Sequence, residues 1–214
     1  MKKAKPGVNA RNTPETARDR ILGAALQAFA EFGYAATSTL EIATRAQVSK
    51  RELYALFGNK QAMLVACIAD RATRFRLPPD LTPVNDRATL AQALTQMGTT
   101  LMQEICAPAV ISVFRLAIAE AQASPEVARA LDRTGRQAVR SAVGQVVQHA
   151  YALGLLGAGD VSVMAGQFLS LLSSDVMLNL LLGVRATPTR SETRRRAEAA
   201  VTAFLTLHPA AKPP

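Results

Sequence analysis

Two helix-start signatures follow one another closely near the N-terminus: Ser38-Thr-Leu-Glu41 and Ser49-Lys-Arg-Glu52. Each places a hydroxyl where it can accept from a free backbone N–H, with a glutamate three residues on that can reach back. Starts this close leave room only for two short helices and a tight turn. The apolar residues suit that arrangement. Ile42, Ala46, Val48, Leu53 and Phe57 can close a small core against a longer preceding helix, and Ala43 is small enough for the crossing. The second helix of such a pair can enter the major groove of DNA with its N-terminal residues facing base edges. Residues 38–57 therefore form a candidate helix-turn-helix.

The flanking sequence is helical in period. Thr13-Pro14-Glu15 reads as a helix start, Ile21, Leu22, Ala25, Ala28, Phe29 and Phe32 recur at helical spacing, and Gly33 ends the run. Asn59 caps a fourth helix running to about Arg74. Leu77-Pro-Pro-Asp80 and Pro83 make a proline-rich joint. Beyond it, Leu90, Leu94, Met97, Leu101 and Ile105 share one face, Pro108 interrupts, and Val110, Val113, Phe114, Ala117 and Ile118 share the next. Ser124-Pro125-Glu126 restarts a long helix ending near Gly154. Gly157 and Gly159 make a turn, and Asp160 caps a helix over 161–184, followed by a last one over 191–207. No stretch alternates with period two, so the chain is expected to be all-α, with about nine helices. The expected division is a basic arm at 1–12, a helix-turn-helix unit at 13–58, a connecting helix at 59–76, a helical body at 77–208 and a tail at 209–214.

Charge singles out the N-terminal third. The whole chain carries a net charge of +9. Up to Arg76 there are 13 Lys and Arg against 6 Asp and Glu; the rest has 12 against 10. A polyanionic partner belongs at that end. Lys50 and Arg51 fall in the first turn of the second short helix, where either can donate to guanine O6 and N7. Tyr54 lies one turn on, within reach of a phosphate or a thymine methyl. Thr37, Ser38, Ser49 and Lys60 sit at helix N-termini, where free N–H groups and the helix dipole favour phosphate.

Phe32-Gly33-Tyr34, Ala36-Thr37-Ser38, Glu41-Ile42-Ala43, Val48-Ser49-Lys50, Leu53-Tyr54, Phe57 and Asn59-Lys60-Gln61-Ala62-Met63-Leu64 together resemble the DNA-binding domain of TetR-family transcriptional regulators. The run 113–120 followed by Ser124-Pro125-Glu126 resembles the ligand domain of an AefR-like branch. The resemblance implies a repressor that binds a near-palindromic operator as a homodimer. It implies an antiparallel helical domain for effector binding and dimerisation, with the dimer contact on 161–184 and 191–207. It also implies a small apolar or amphipathic effector that releases the operator. Three positions depart from the family pattern: Gln47 stands where the turn usually has glycine, Arg51-Glu52 replaces a small pair, and Leu40 is not assigned a DNA contact.

Met97, Leu101, Phe114, Ile118 and Phe168 are the candidate effector-pocket residues, with plain core packing the competing reading for each. Arg115, Glu120, His149 and Asp175 interrupt apolar faces and are expected to be solvated or internally paired. Two histidines argue against a metal site within one subunit; Cys67 and Cys106, without CxxC spacing, read as small buried apolar groups, with a redox sensor pair as the alternative, and no cofactor is expected. Phosphate-loop, HExxH and GxSxG motifs are missing, which argues against an enzyme. The apolar run 161–184 carries Asp175, which would cost about 2.5–3.5 kcal/mol at bilayer depth, so a buried helix in a cytoplasmic protein is expected rather than a membrane span.

Overall fold

A computed structural model describes residues 16–73, 81–123 and 125–211. The described residues form eleven α-helices and one π-helical turn, with no strand. In chain order the helices are α1 Ala17–Phe32, α2 Thr39–Arg45, α3 Lys50–Phe57, α4 Lys60–Thr73, α5 Arg87–Ile105, α6 Pro108–Ala119, α7 Pro125–Leu131, α8 Gln137–Ala152, α9 Val161–Ser173, α10 Val176–Leu182 and α11 Arg190–Leu207. The π turn, Asp132–Arg136, joins α7 to α8.

Local chemistry sets most of these boundaries. Thr16 caps α1 in a full capping box with Asp19, so the helix starts at Ala17, later than the expected start. Thr13-Pro14-Glu15 itself, the arm, the joint at 77–80, Arg74 and Ser124 lie outside the described residues. Gly33, at φ 80°, stops α1. Pro108 occupies the first turn of α6, where its missing N–H has no intrahelical partner to lose. Asp86 and Thr89 close a capping box on α5, as Thr189 and Glu192 do on α11. These bonds hold the Asp86 and Glu192 carboxyls below the usual carboxylate range.

Two expected helices prove to be composite. The stretch expected to run from Pro125 to near Gly154 is divided by the π turn into α7 and α8. The helix expected over 161–184 breaks at Ser174, which takes φ 36°, and α9 and α10 meet at 52°. These two breaks raise the count above nine. Among the described residues no single helix is long and apolar enough to cross a membrane. The pairs α5–α6 and α9–α10 reach that length only across bends of 64° and 52°.

Apolar burial falls into two clusters. The larger one gathers Leu90, Leu94, Met97, Leu101, Phe168, Leu172, Val201 and Phe204 from α5, α9 and α11. At its centre Gly98 lets α5 approach closely. A Cβ there would stand 3.2 Å from both Ala197 Cβ and Leu172 Cδ1, and 3.4 Å from Phe168 Cζ. The second cluster holds α1 to α4 together through Ile21, Leu22, Phe29, Ile42, Leu53, Met63 and Ile68. It continues into α6 and α7 through Val113, Leu116, Ala117 and Val127. The head formed by α1–α4 is thus packed directly onto the helices that follow it.

Candidate nucleic-acid interface and ligand cleft

The two short helices sit as their sequence requires. Ile42, Ala43, Ala46, Leu53 and Phe57 are buried, and Val48 packs half-buried against them. The turn between α2 and α3 passes through Gln47 at φ 53°, a left-handed conformation for a residue with a side chain. Arg20 of α1 braces the turn by donating from Nε to the Ala46 carbonyl at 3.1 Å. Ser38 Oγ accepts from Glu41 N–H and Ser49 Oγ from Glu52 N–H, each at 3.1 Å. Only the serine half of each expected box forms. Glu41 turns instead to Arg45, which pairs with it at 2.6 Å and with Glu31 at 2.7 Å, and whose guanidinium lies over Phe32.

The outer surface of α3 exposes Lys50, Arg51, Glu52, Tyr54 and Leu56. Tyr54 Oη is 3.1 Å from Thr39 Oγ1, linking the two short helices across their outer face, and Lys50 Nζ is 5.8 Å from the Tyr54 ring. Leu40 is 62% exposed on the same side.

Two proposed contact residues are placed differently from expectation. Thr37 is buried, and its hydroxyl is shared between the carbonyls of Ala28 at 3.0 Å and Gly33 at 2.7 Å. Lys60 turns inward. Its ammonium donates to the Tyr34 and Thr37 carbonyls at 2.8 and 3.0 Å, approaches that of Ala35 at 3.4 Å, and lies 4.4 Å from the Tyr34 ring centroid. The loop between α1 and α2 presents carbonyl oxygens that need a cation, and they draw the side chain away from solvent. Both residues shape the head from within. Asn59 caps α4 as expected, accepting from Ala62 N–H at 2.7 Å.

A second feature is a cleft of about 980 Å³ lined by the helices from α5 to α10 and reached by the head only at Ile68 of α4. Leu101, Phe114 and Ile118 line it, together with Ile105, Leu169, Met177 and Leu181. Met97 and Phe168 do not. Both are fully buried in the larger core, where Phe168 meets Phe204 edge-on, with ring centroids 5.6 Å apart. Their spacing fits pocket and core equally well, and packing among α5, α9 and α11 places both in the core. The sequence reading missed the polar members of the lining, Glu104, Asp132, Gln137, Arg136 and Arg140. The π turn brings Asp132 and Arg136 there, and nothing in the local sequence announces it.

Three of the four polar residues on apolar faces have partners, and Glu120 makes no side-chain hydrogen bond or ion pair among the described residues. Arg115 donates to the Leu180 and Leu181 carbonyls, closing the end of α10; His149 Nε2 is 3.2 Å from the Val84 carbonyl; Asp175 pairs with Arg196 at 3.3 Å. Burial pushes the Cys67 thiol up to about 12 and the Cys106 thiol up to about 11, so both behave as small apolar groups.

Family models match both halves of the chain: bacterial regulatory proteins of the tetR family over residues 21–67, and the C-terminal domain of AefR-like transcriptional repressors over residues 92–208. Over 86 residues the chain is 34% identical to the uncharacterized HTH-type transcriptional regulator YvkB of Bacillus subtilis (strain 168). That match spans 40% of this chain and 43% of YvkB, less than half of the relative's length. The fold is similar to that of a TetR-family transcriptional regulator from Mesorhizobium loti MAFF303099, with a TM-score of 0.77 and 25% identity over 92% of this chain and 99% of that one. It is also similar to the flavonoid-responsive regulator FrrA, with a TM-score of 0.71 and 30% identity over 90% and 96%.

Proposed function

The chain belongs to the TetR family of bacterial regulatory proteins and carries an AefR-like C-terminal domain, and from that premise we propose that it is a homodimeric repressor released from operator DNA by a small molecule in the cleft. The observation that carries the reading is that the cleft and the DNA-reading head share residues. Ile68 of α4, Val113 and Ala117 of α6, and Leu131 line the cleft and also pack in the cluster that holds α1–α4. A ligand that fills the cleft presses on the helix from which α3 is hung. It favours whichever head position leaves the cleft its preferred shape, and the operator-bound population shifts by the difference in affinity.

In this reading α3 lies in the major groove. Lys50 and Arg51 face base edges, Tyr54 meets the backbone or a thymine methyl, and the N-termini of α2 and α3 at Ser38 and Ser49 meet phosphates. Lys60 and Thr37 act indirectly, by fixing the loop that sets α2. The dimer face comprises Val163, Gln167 and Ser170 on α9 with Ala199, Thr202 and Thr206 on α11. All are exposed at helical spacing on neighbouring helices. Leu178, Leu182 and Val184, more than half exposed, extend this surface at α10. FrrA is responsive to flavonoids by its name, which supports a ligand-responsive role for a chain 30% identical to it.

Gel-shift titration against the DNA upstream of its own gene tests the DNA part. Specific binding that weakens steeply with salt is expected, and binding that ignores salt, or none, would sink the proposal. Sedimentation of the free protein should give a dimer, and a stable monomer would remove the assigned face.

A further inference from the structure

One charged group in the cleft has nothing to hold. Four ionisable side chains line it: Glu104, Asp132, Arg136 and Arg140. Asp132 and Arg136 pair at 3.5 Å, and Asp132 also accepts from Gln137 Nε2 at 3.1 Å. Glu104 has a partner of its own. Arg140, solvent-exposed on α8, makes no hydrogen bond or ion pair among the described residues. Its guanidinium lies at the rim beside Gly166 of α9, with Nη2 3.5 Å from where a Cβ on that residue would stand. The neighbouring rim hydroxyls are engaged: Ser170 donates to the Gly166 carbonyl and Ser173 to that of Leu169. Across the space, Leu101, Ile105, Phe114, Met177 and Leu181 offer an apolar wall. A volume of about 980 Å³ is at the upper end of what a single small ligand fills.

We propose that the ligand of this cleft is an amphipathic anion, with its apolar body on the wall formed by α5, α6 and α10 and its one acidic group on the Arg140 guanidinium. The proposal rests on the effector reading above and adds the ligand's chemistry to it. A planar guanidinium with free donors takes a carboxylate in two parallel hydrogen bonds, while the apolar wall across the cleft takes the body of the ligand. A cation of the same shape meets an uncompensated like charge. A neutral analogue leaves Arg140 as it was and gains only the apolar contact.

Calorimetric titration of the full-length protein with decanoate, decan-1-ol and decyltrimethylammonium, each below its micelle concentration, tests this, with operator gel shifts run in parallel. Decanoate should bind about tenfold or more tighter than decan-1-ol, and decyltrimethylammonium weakest. Arg140→Gln should bring decanoate down to the level of decan-1-ol, leave decan-1-ol binding unchanged, and leave the ligand-free protein dimeric and bound to its operator as before. Arg140→Lys should keep part of the preference. Equal binding of acid and alcohol, or a preference that survives Arg140→Gln, overturns the proposal. If decan-1-ol releases the operator as well as decanoate does, the effector reading stands and the anion assignment falls. If none of the three binds or releases DNA, both fall.

Discussion

Lys60 holds the carbonyls of the loop between α1 and α2, so its charge works inside the head and not at its surface. Lys60→Ala should therefore lower the stability of the head by about 1.5–3 kcal/mol, the scale of hydrogen bonds to a charged donor. It should weaken DNA binding without changing how steeply binding falls with salt. Thermal melts and a salt series together check this; a shallower salt slope in the variant would return Lys60 to the phosphate backbone. Arg51 is the opposite case, exposed in the first turn of α3. Arg51→Ala should relax preference at one base pair by about 1–3 kcal/mol of discrimination and leave stability alone, measured by binding to a set of single-base operator variants. The sequence marked both as basic residues at helix starts and gave no means of separating them. The difference lies in the carbonyls of Tyr34 and Thr37, which come near Lys60 only once α1 and α4 have packed.

Elements fixed by local chemistry were the legible ones. Ser38, Ser49, Asn59 and Pro108 mark starts that the structure keeps, because a cap acts within one turn and needs no tertiary partner. The π turn at Asp132–Arg136 and the break at Ser174 were not legible, because each depends on how two long helices fit their neighbours. Where the family pattern usually has glycine, Gln47 takes a left-handed conformation that a side chain strains. Gln47→Gly should raise stability by up to about 1 kcal/mol, the relieved strain being partly offset by the glycine's greater freedom when unfolded. Denaturant unfolding would show it as a higher midpoint at an unchanged slope. A lower midpoint would mean that the Gln47 side chain contributes more than the turn costs.

At the scale of the molecule, Gly98 marks a close approach in the core, where α5 meets α9 and α11. A side chain there is met within 3.2 Å by Ala197 and Leu172. Gly98→Val should force these helices apart and destabilise the body by about 1–3 kcal/mol, with loss of the dimer if the face on α9 and α11 is the contact. Unfolding and sedimentation of the same sample report both effects, and a fully stable dimeric variant would contradict the packing. The all-helical class and the helix-turn-helix were visible in the spacing of apolar residues. The cleft was visible only in part, since Leu101, Phe114 and Ile118 carry the same signal as the buried Met97 and Phe168. The floor that cleft and head have in common has a bearing on how such a chain changes. If the cleft holds the effector, as proposed, Ile68, Val113, Ala117 and Leu131 answer to two demands at once, and a substitution there that admits a new ligand should also move the reading head. Recognition of ligand and of DNA then do not vary as separable traits. A chimera that joins residues 16–73 to a foreign body should inherit its own base preference but lose its response, until these floor positions are matched to the new neighbour.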